Sequence, residues 1–254
     1  MLWAIDVGNT QTVVGIHNGS QWIGDWRIQT DRARTEDEWR SLLWTLCQKQ
    51  QIPWHADGFM ISSVVPPVDE VISRWAKQDF GLTAHFLRNG QQVQMNVDYD
   101  PPHAVGADRI ANALGALEIV KPPFIVVDFG TATTLDVVDK TGTYVGGVIL
   151  PGVMVSLEGL VGRTAKLPAI RLEGTKRALG KNTVESLQSG VVRGYSGAID
   201  TLVRQVSDEL DGEVSVLSTG GLGKLFVNHC ETIQEHKGML TLDGLRVAYS
   251  RITG

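Results

Sequence analysis

Two short segments of the chain share one pattern of side chains that are able to do chemistry. Residues 6–12 read Asp-Val-Gly-Asn-Thr-Gln-Thr, and residues 128–134 read Asp-Phe-Gly-Thr-Ala-Thr-Thr. Both fit the pattern Asp-x-Gly-(Asn/Thr)-x-x-Thr. A carboxylate is a ligand for a metal ion, and the backbone amides of a tight glycine turn bind phosphate oxygens. Each segment therefore combines a metal ligand with a phosphate site.

Apolar runs typical of β-strands flank each segment. They are residues 2–5 and 13–16 around the first, and residues 124–127 and 135–138 around the second. A strand, a tight turn and a return strand form a β-hairpin. One such hairpin alone is more often plain Asx-turn structure, but the second copy favours a functional interpretation. The repeat predicts a duplicated domain with a nucleotide cleft between two lobes.

Two further motifs have a functional and a structural interpretation of about equal weight. Thr219-Gly220-Gly221 follows a predicted strand, and its glycines either approach an adenosine closely or form an ordinary turn. Asp108 and Arg109 lie near the start of a predicted helix. They either form a surface ion pair or act on a substrate, with the carboxylate as a base and the guanidinium as an anion ligand.

Tyr99 and Thr183 give weaker signals. Tyr99 precedes Asp100-Pro101-Pro102, a rigid turn that either fixes the ring at a site or serves packing alone. Thr183 follows Gly180 by three residues, and the residue type favours a helix N-cap over a ligand role.

The elements that position these residues are predicted in the same order twice. The first half is expected to contain strands 2–6, 12–17, 21–29, 58–65 and 83–87, and helices 35–46 (with a Thr35/Glu38 capping box), 68–79 and 104–120. The second half is expected to contain strands 124–128, 134–139, 143–150 and 214–218, and helices from 153, over 185–210 and from 242 or 244 to the end. We therefore predict lobes at 1–118 and 119–254, and the terminal helix packs on either lobe.

Composition limits the class of protein. The 254 residues carry a formal net charge of -5 without a cluster of Lys and Arg, so we expect no nucleic-acid partner and no anionic membrane partner. No apolar stretch approaches the ~20 residues that span a bilayer. Cys47 and Cys230 form neither a disulfide framework nor a zinc site. These features predict a cytoplasmic protein.

Several enzyme signatures are missing from the sequence. The six His residues show no spacing typical of a transition-metal site. Neither the Gly-x-Ser-x-Gly of α/β-hydrolases nor the Gly-x-x-x-x-Gly-Lys-(Ser/Thr) of P-loop kinases occurs.

Two β-β-β-α-β-α units, each with a phosphate hairpin at its first turn, resemble the actin-like ATPase and sugar kinase superfamily, whose lobes are ribonuclease H-like. Within it, the chain resembles the type III pantothenate kinases. The motifs that carry this resemblance occur in the family's order: Asp6-Val7-Gly8-Asn9-Thr10, Ile61-Ser62-Ser63-Val64-Val65-Pro66, Tyr99 with Pro101, Val105-Gly106-Ala107-Asp108-Arg109, residues 128–134, Pro151-Gly152, Gly180 with Thr183, and Thr219-Gly220-Gly221. They span nearly the whole chain.

The resemblance implies a homodimeric enzyme that phosphorylates the primary hydroxyl of pantothenate with ATP, the first step of coenzyme A biosynthesis. It implies that Asp108 is the general base. It also implies a pantothenate site that contains Tyr99, Gly106, Ala107, Asp108, Arg109 and Thr183, and an ATP site that contains Asp6, Val7, Gly8, Asn9, Thr10, Gln11, Thr12, Val13 and Thr131, to which Gly220 and Gly221 are added. Asp128 would bind K⁺ or NH₄⁺, and Mg²⁺ would accompany ATP with Asp6 as its ligand.

Two alternative functions stay open on the sequence. A nucleotide-binding accessory protein of gene regulation would share the fold without turnover, although both Asp108 and Arg109 are present. An actin-like phosphatase or ATPase would share the two hairpins but would not need Tyr99 or the Gly-Ala-Asp-Arg segment.

Overall fold

The computed structural model describes all residues from 1 to 254 and divides into two compact units. The first unit contains residues 1–118 together with 240–254, and the second contains residues 119–239. Both are α/β, and each contains one five-stranded sheet.

The first unit is a sheet of mixed direction with helices on its faces. Its elements in chain order are β1 (Leu2–Val7), β2 (Gln11–His17), β3 (Trp22–Gln29), α1 (Glu36–Lys49), β4 (Gly58–Ser63), α2 (Pro66–Phe80), β5 (His85–Phe86), α3 (Ala107–Leu117) and the terminal helix (Leu240–Thr253). The strand order is β3-β2-β1-β4-β5. Strands β1 to β3 form an antiparallel meander, whereas β4 runs parallel to both β1 and β5.

An aromatic cluster fills the core on one face of this sheet. Trp3 and Phe59 lie side by side on β1 and β4, and Trp75 of α2 packs edge-on against both, at centroid distances of 5.5 and 5.4 Å. Helix α1 lies on the same core through Trp39 and Leu43. The predicted capping box is present, because the Thr35 side chain accepts from the Glu38 amide while the Glu38 carboxylate accepts from the Thr35 amide.

The terminal helix belongs to the first unit, where it packs on α3, β1 and β4. The sequence predicts this helix in the second half of the chain, with a packing partner in either lobe, and the structure assigns it to the first unit. Thr241 donates to Asn112 Oδ1 at 2.7 Å, and the indole N–H of Trp22 donates to Asp243 at 2.8 Å. Burial against the terminal helix explains the many Ala and Gly residues of α3, because residues this small allow two helices to approach closely.

The second unit repeats the three-strand meander. Its elements are β6 (Phe124–Phe129), β7 (Ala132–Val138), β8 (Tyr144–Pro151), α4 (Val153–Gly162), α5 (Thr183–Asp208), β9 (Ser215–Thr219), α6 (Gly223–Phe226) and β10 (Glu235–His236). The strand order is β10-β9-β6-β7-β8. Phe129 stacks on Phe226 at 4.7 Å in the core, and buried Asp200 of α5 accepts from the amides of Glu231 and Thr232. These bonds attach the segment before β10 to α5.

Several element boundaries differ from the sequence-based expectation. Helix α3 begins at Ala107, because residues 102–104 form a separate turn of 3-10 helix and Gly106 is the N-cap. The expected N-cap role of Thr183 is wrong. Asn182 caps α5, since its side-chain oxygen accepts from the Glu185 amide at 2.9 Å, and Thr183 is the first helical residue. Asn is at least as good a cap as Thr.

Two features of the structure concern its helices and its two cysteines. None of its helices combines the length and the apolar character needed to cross a bilayer. Cys47 and Cys230 are both free and buried, and burial raises the pKa of each thiol to about 11. Both sulfurs are therefore protonated at neutral pH.

The aromatic core gives a stability prediction with a matched control. Trp75 is fully buried, whereas Trp44 on α1 is 50% exposed. We expect Trp75→Ala to lower the free energy of unfolding by about 3–5 kcal/mol, because it leaves a large cavity. Trp44→Ala should cost less than about 1 kcal/mol. Urea denaturation of both variants measures the difference, and equal losses would contradict the central place of Trp75 in the core.

Candidate active site

The first predicted phosphate hairpin connects β1 to β2. Val7 and Thr12 are the last paired residues, so Gly8, Asn9, Thr10 and Gln11 form the turn. The Gly8 N–H donates to the Gln11 carbonyl at 3.0 Å. Gly8 is partly buried, whereas Asn9 and Thr10 are exposed and present their side chains to solvent. The turn therefore offers amides and hydroxyl or amide side chains to an incoming ligand.

The second hairpin, between β6 and β7, is one residue shorter. Phe129 pairs with Thr133, and the Gly130 N–H donates to the Ala132 carbonyl at 3.1 Å. Thr133, and not Thr134, therefore takes the place of Thr12, and both are fully buried. The sequence pattern aligned Thr12 with Thr134, and this alignment is wrong in the structure. Because side chains alternate across a strand, one residue of shift moves a side chain to the opposite face.

Asp6 lies near the end of β1, and three residues of the neighbouring strands lie in register with it across the sheet. Its neighbours in the strand register are Val13 and Ser62, and Val13 in turn lies opposite Arg27. The Ser62 hydroxyl donates to Asp6 Oδ1. Burial and the nearby Asp108 carboxylate raise the pKa of Asp6 to about 7, against smaller opposing effects of the Ser62 hydrogen bond and of Arg27.

Asp108 lies in the first turn of α3. Its Oδ1 accepts from the Arg109 amide at 2.9 Å, as is usual for an acid at a helix N-terminus. Gly106 is so close that a methyl group on it would collide with Asp108 Oδ1. The next residues, Ala107 and Arg109, are buried, while Asp108 is only partly buried. The segment thus holds one carboxylate at the surface between two residues that are fixed in the core.

The first unit therefore brings together two groups that were predicted from separate motifs. Asp6 and Asp108 are near enough for the charge of Asp108 to raise the pKa of Asp6. Tyr99 is half-buried in the segment that precedes the 3-10 turn.

The predicted residues of the second unit lie on three elements. Asp128 is partly buried at the end of β6, and Thr131 is exposed in the turn that follows. Gly220, with φ of +84°, lies against the Asp128 carboxylate and the Phe129 backbone, where no side chain fits. Gly221 is exposed, and Thr183 is exposed at the start of α5.

Four residues near the first hairpin had no predicted role. Ser62 and Arg27 act on Asp6, and the strand register of the meander is the sequence signal that would have placed them. Thr30 and Arg32 follow β3 and contact the turn. The Thr30 N–H donates to the Thr10 carbonyl at 3.0 Å. The Arg32 guanidinium donates to Asn9 Oδ1 at 3.2 Å. These contacts depend on the position of the loop that follows β3, and no local sequence pattern predicts that position.

Comparison with known proteins places the chain in a family. A sequence model of the type III pantothenate kinases matches residues 2–205. The chain belongs to the type III pantothenate kinase family. A relative of that name from Halalkalibacterium halodurans is 40% identical over 252 residues, which cover 99% of each chain. Another from Pelobacter propionicus is 42% identical over 252 residues, with 99% of each chain covered.

A solved structure supports the actin-like fold class of this chain. The activator of the 2-hydroxyisocaproyl-CoA dehydratase from Clostridium difficile, with bound ADPNP, superposes with a TM-score of 0.59 at 9% identity. The match covers 98% of this chain and 95% of that chain. At this identity the similarity establishes the fold class alone, which agrees with the predicted pair of duplicated lobes.

A kinase of this family acts on ATP with a divalent metal, and the donor groups around Asp6 suit such an ion. Asp6 and Ser62 provide one carboxylate and one hydroxyl. Mg²⁺ bound to a nucleotide takes one or two carboxylates, and phosphates and waters complete its shell. Burial and then the Asp108 carboxylate raise the pKa of Asp6, and a nearby cation would stabilise the charged form that they disfavour.

The pKa of Asp6 gives a testable pH dependence. The unfolded chain releases this proton near the ordinary pKa of 3.8, whereas the folded protein keeps it up to about pH 7. The folded state binds more protons in this range, so the free energy of unfolding falls as pH rises. Asp6→Asn removes this loss. We expect its Tm without ligand and metal to exceed that of the wild type by a margin that grows between pH 5 and pH 8, by on the order of a few degrees.

The control is Asp25→Asn, which changes an exposed carboxyl of β3. Its Tm difference from the wild type should stay constant over the same range. Thermal scans in chelator-treated buffer measure both differences, and a margin for Asp6→Asn that does not change with pH would refute the raised pKa.

Proposed function

We propose that this protein transfers the γ-phosphoryl group of ATP to the primary hydroxyl of pantothenate, the first step of coenzyme A biosynthesis. Membership of the type III pantothenate kinase family supports this activity. The structural observation that supports the proposal is that Asp108 lies near enough to Asp6 for its charge to raise the pKa of Asp6, so the proposed base would act beside the first hairpin.

ATP is the ligand that we propose for the two hairpins. In the first unit, the turn at Gly8 and its flanking strand ends would bind phosphate through the residues Asp6, Val7, Gly8, Asn9, Thr10, Gln11, Thr12 and Val13. In the second unit, Thr131 would do so through its exposed hydroxyl. Gly220 and Gly221 would approach the adenosine, and the bare backbone at Gly221 supports that assignment because no atom of the protein crowds it.

Pantothenate would bind at the start of α3. We propose Gly106, Ala107, Asp108, Arg109, Tyr99 and Thr183 for this site, as the family resemblance implies. The guanidinium of Arg109 is suited to the pantothenate carboxylate, since Arg holds carboxylates in a fixed planar geometry. Its burial supports the role, because a buried guanidinium is held in one orientation.

Asp108 would act as the general base. Its carboxylate takes the proton of the pantothenate hydroxyl as the oxygen attacks the γ-phosphorus, and the bond between that phosphorus and the β–γ bridging oxygen breaks. The Arg109 amide, which donates to Asp108 Oδ1, orients the carboxylate for this step. Mg²⁺, when bound, neutralises negative charge on the phosphates. Gly106 keeps the space beside Asp108 free, since any side chain there would push the carboxylate away.

The decisive test is pantothenate-dependent ADP release in the presence of Mg²⁺ and K⁺. We expect the wild type to release ADP only when pantothenate is present. Asp108→Asn should lower kcat by about 10²–10⁴-fold while the protein stays folded, because Asn keeps the shape of the side chain and cannot act as the base. Asp25→Asn, in an exposed carboxyl of β3, serves as the control and should retain full activity. ADP release without pantothenate would instead support an ATPase.

We further propose that Asp128 binds K⁺ or NH₄⁺. Gly220 lies against its carboxylate and the Phe129 backbone, so the absence of a side chain at this glycine leaves the carboxylate oxygen uncovered by one. We expect the wild-type rate to fall when Na⁺ replaces K⁺, and Asp128→Ala to lose this difference between the ions. Asp208→Ala, at the exposed end of α5, should keep it. A wild type that is equally active in both salts would contradict the assignment.

A homodimer and a cytoplasmic location complete the proposal. Helix α4 exposes Met154, Val155 and Leu160, and Gly194 of α5 has open space around it. These apolar and small residues suit contact with a second copy of the chain, since a two-fold axis pairs one surface with itself. We expect light scattering to give twice the chain mass for the wild type and a lower mass for Gly194→Arg. A wild-type monomer at micromolar concentration would refute the dimer.

A further inference from the structure

Thr30, which follows β3, is bonded to the turn of the first hairpin at three points. Its N–H donates to the Thr10 carbonyl at 3.0 Å. Its hydroxyl donates to the Gly8 carbonyl at 2.7 Å and lies 2.8 Å from the hydroxyl of Thr12. A hydroxyl has one proton to donate. Because the Thr30 hydroxyl donates to the Gly8 carbonyl, it accepts a hydrogen bond from the Thr12 hydroxyl. The three groups form a directed chain from Thr12 through Thr30 to the Gly8 carbonyl.

This chain orients the amides of the turn. The Gly8 carbonyl and the Asn9 N–H belong to one peptide plane, as do the Thr10 carbonyl and the Gln11 N–H. By holding both carbonyls, Thr30 sets the direction of both amides. The Gly8 N–H, which belongs to the preceding peptide, donates to the Gln11 carbonyl, and the Thr30 hydroxyl is the donor to the Gly8 carbonyl of the next peptide.

The second unit lacks this device. In its meander, Gly152 stands where Thr30 stands in the first, since Pro151 pairs with Ala132 as Gln29 pairs with Gln11. A side chain on Gly152 would collide with the Thr131 carbonyl, so the shorter hairpin rests directly on backbone. Thr133, in the place of Thr12, makes no side-chain hydrogen bond. The longer first hairpin has one more residue to order, and Thr30 supplies the bonds that order it.

We propose that Thr30 is a positioning residue for the nucleotide, and that its hydroxyl holds the first hairpin in its phosphate-binding conformation. The inference rests on the proposed role of that hairpin in ATP binding. It adds a residue that touches no substrate but sets the geometry of the groups that do. Small displacements of such groups are costly, because phosphoryl transfer depends chiefly on positioning.

The test removes only the hydroxyl. Thr30→Val keeps the shape of the side chain, and Thr30→Ser keeps the hydroxyl. We expect Thr30→Val to raise the KM for ATP by about 10-fold, because the Gly8 carbonyl loses its donor. The KM for pantothenate should stay within about 2-fold, and Thr30→Ser should stay near the wild type. Thr45→Val is the matched control, since its hydroxyl bonds only to the Ser41 carbonyl of its own helix.

A merely structural role would give a different result. A less stable protein loses active enzyme, which lowers the apparent kcat and leaves the KM for ATP unchanged, and that outcome would overturn the inference. So would a Thr30→Val variant with wild-type kinetics. Should Thr30→Val fail to fold, Thr30→Ala removes the same hydroxyl, and an unchanged KM for ATP there would also overturn it.

Equilibrium binding of ATP with Mg²⁺, measured without pantothenate, separates the inference from the proposed function. Weaker binding by Thr30→Val supports the inference even if the wild type shows no pantothenate-dependent turnover, in which case only the proposed function fails. If the wild type turns over pantothenate but Thr30→Val binds ATP as tightly as the wild type does, only the inference fails. A wild type that does not bind ATP overturns both.

Discussion

One electrostatic constraint governs the candidate site of the first unit, which is the placement of two carboxylates close together in partly dry surroundings. Burial disfavours the charge of Asp6, and the charge of Asp108 disfavours it further. The fold maintains this arrangement because Asp6 ends a buried strand and Asp108 begins a helix whose neighbouring residues are fixed in the core. A protein has reason to retain such a pair where a cation and phosphates bind, and this agrees with membership of a kinase family.

The two hairpins show how duplicated segments diverge under the same strand geometry. Each joins the first two strands of a meander, and each closes with a hydrogen bond from a glycine amide. The first has one more residue in its turn and is held by side-chain hydroxyls, whereas the second is compact and lies against backbone at Gly152 and Gly220. The first turn is therefore sensitive to the loss of a hydroxyl group, and the second to the addition of any side chain at those glycines.

Much of the fold followed from local patterns. The antiparallel meanders, the capping box of α1 and the long helix α5 all have strong periodic or turn signals. The errors arose where tertiary contacts decide an outcome. Asn182 displaced Thr183 as a cap because two adjacent residues were both suitable, and only the backbone conformation selects one. The short strand β10 was not predicted, because two residues beside β9 carry no periodicity.

The sequence by itself determined the type of fold and the family, and it supplied the candidate site residues, because these depend on residue types in a fixed order along the chain. Only the tertiary structure decided that Thr133 corresponds to Thr12, that Ser62 and Arg27 act on Asp6, and that Thr30 holds the first turn. The physical reason is that register and loop contacts join residues distant in sequence. A hydrogen bond between Thr30 and Gly8 depends on where two chain segments meet, and neither segment alone contains that information.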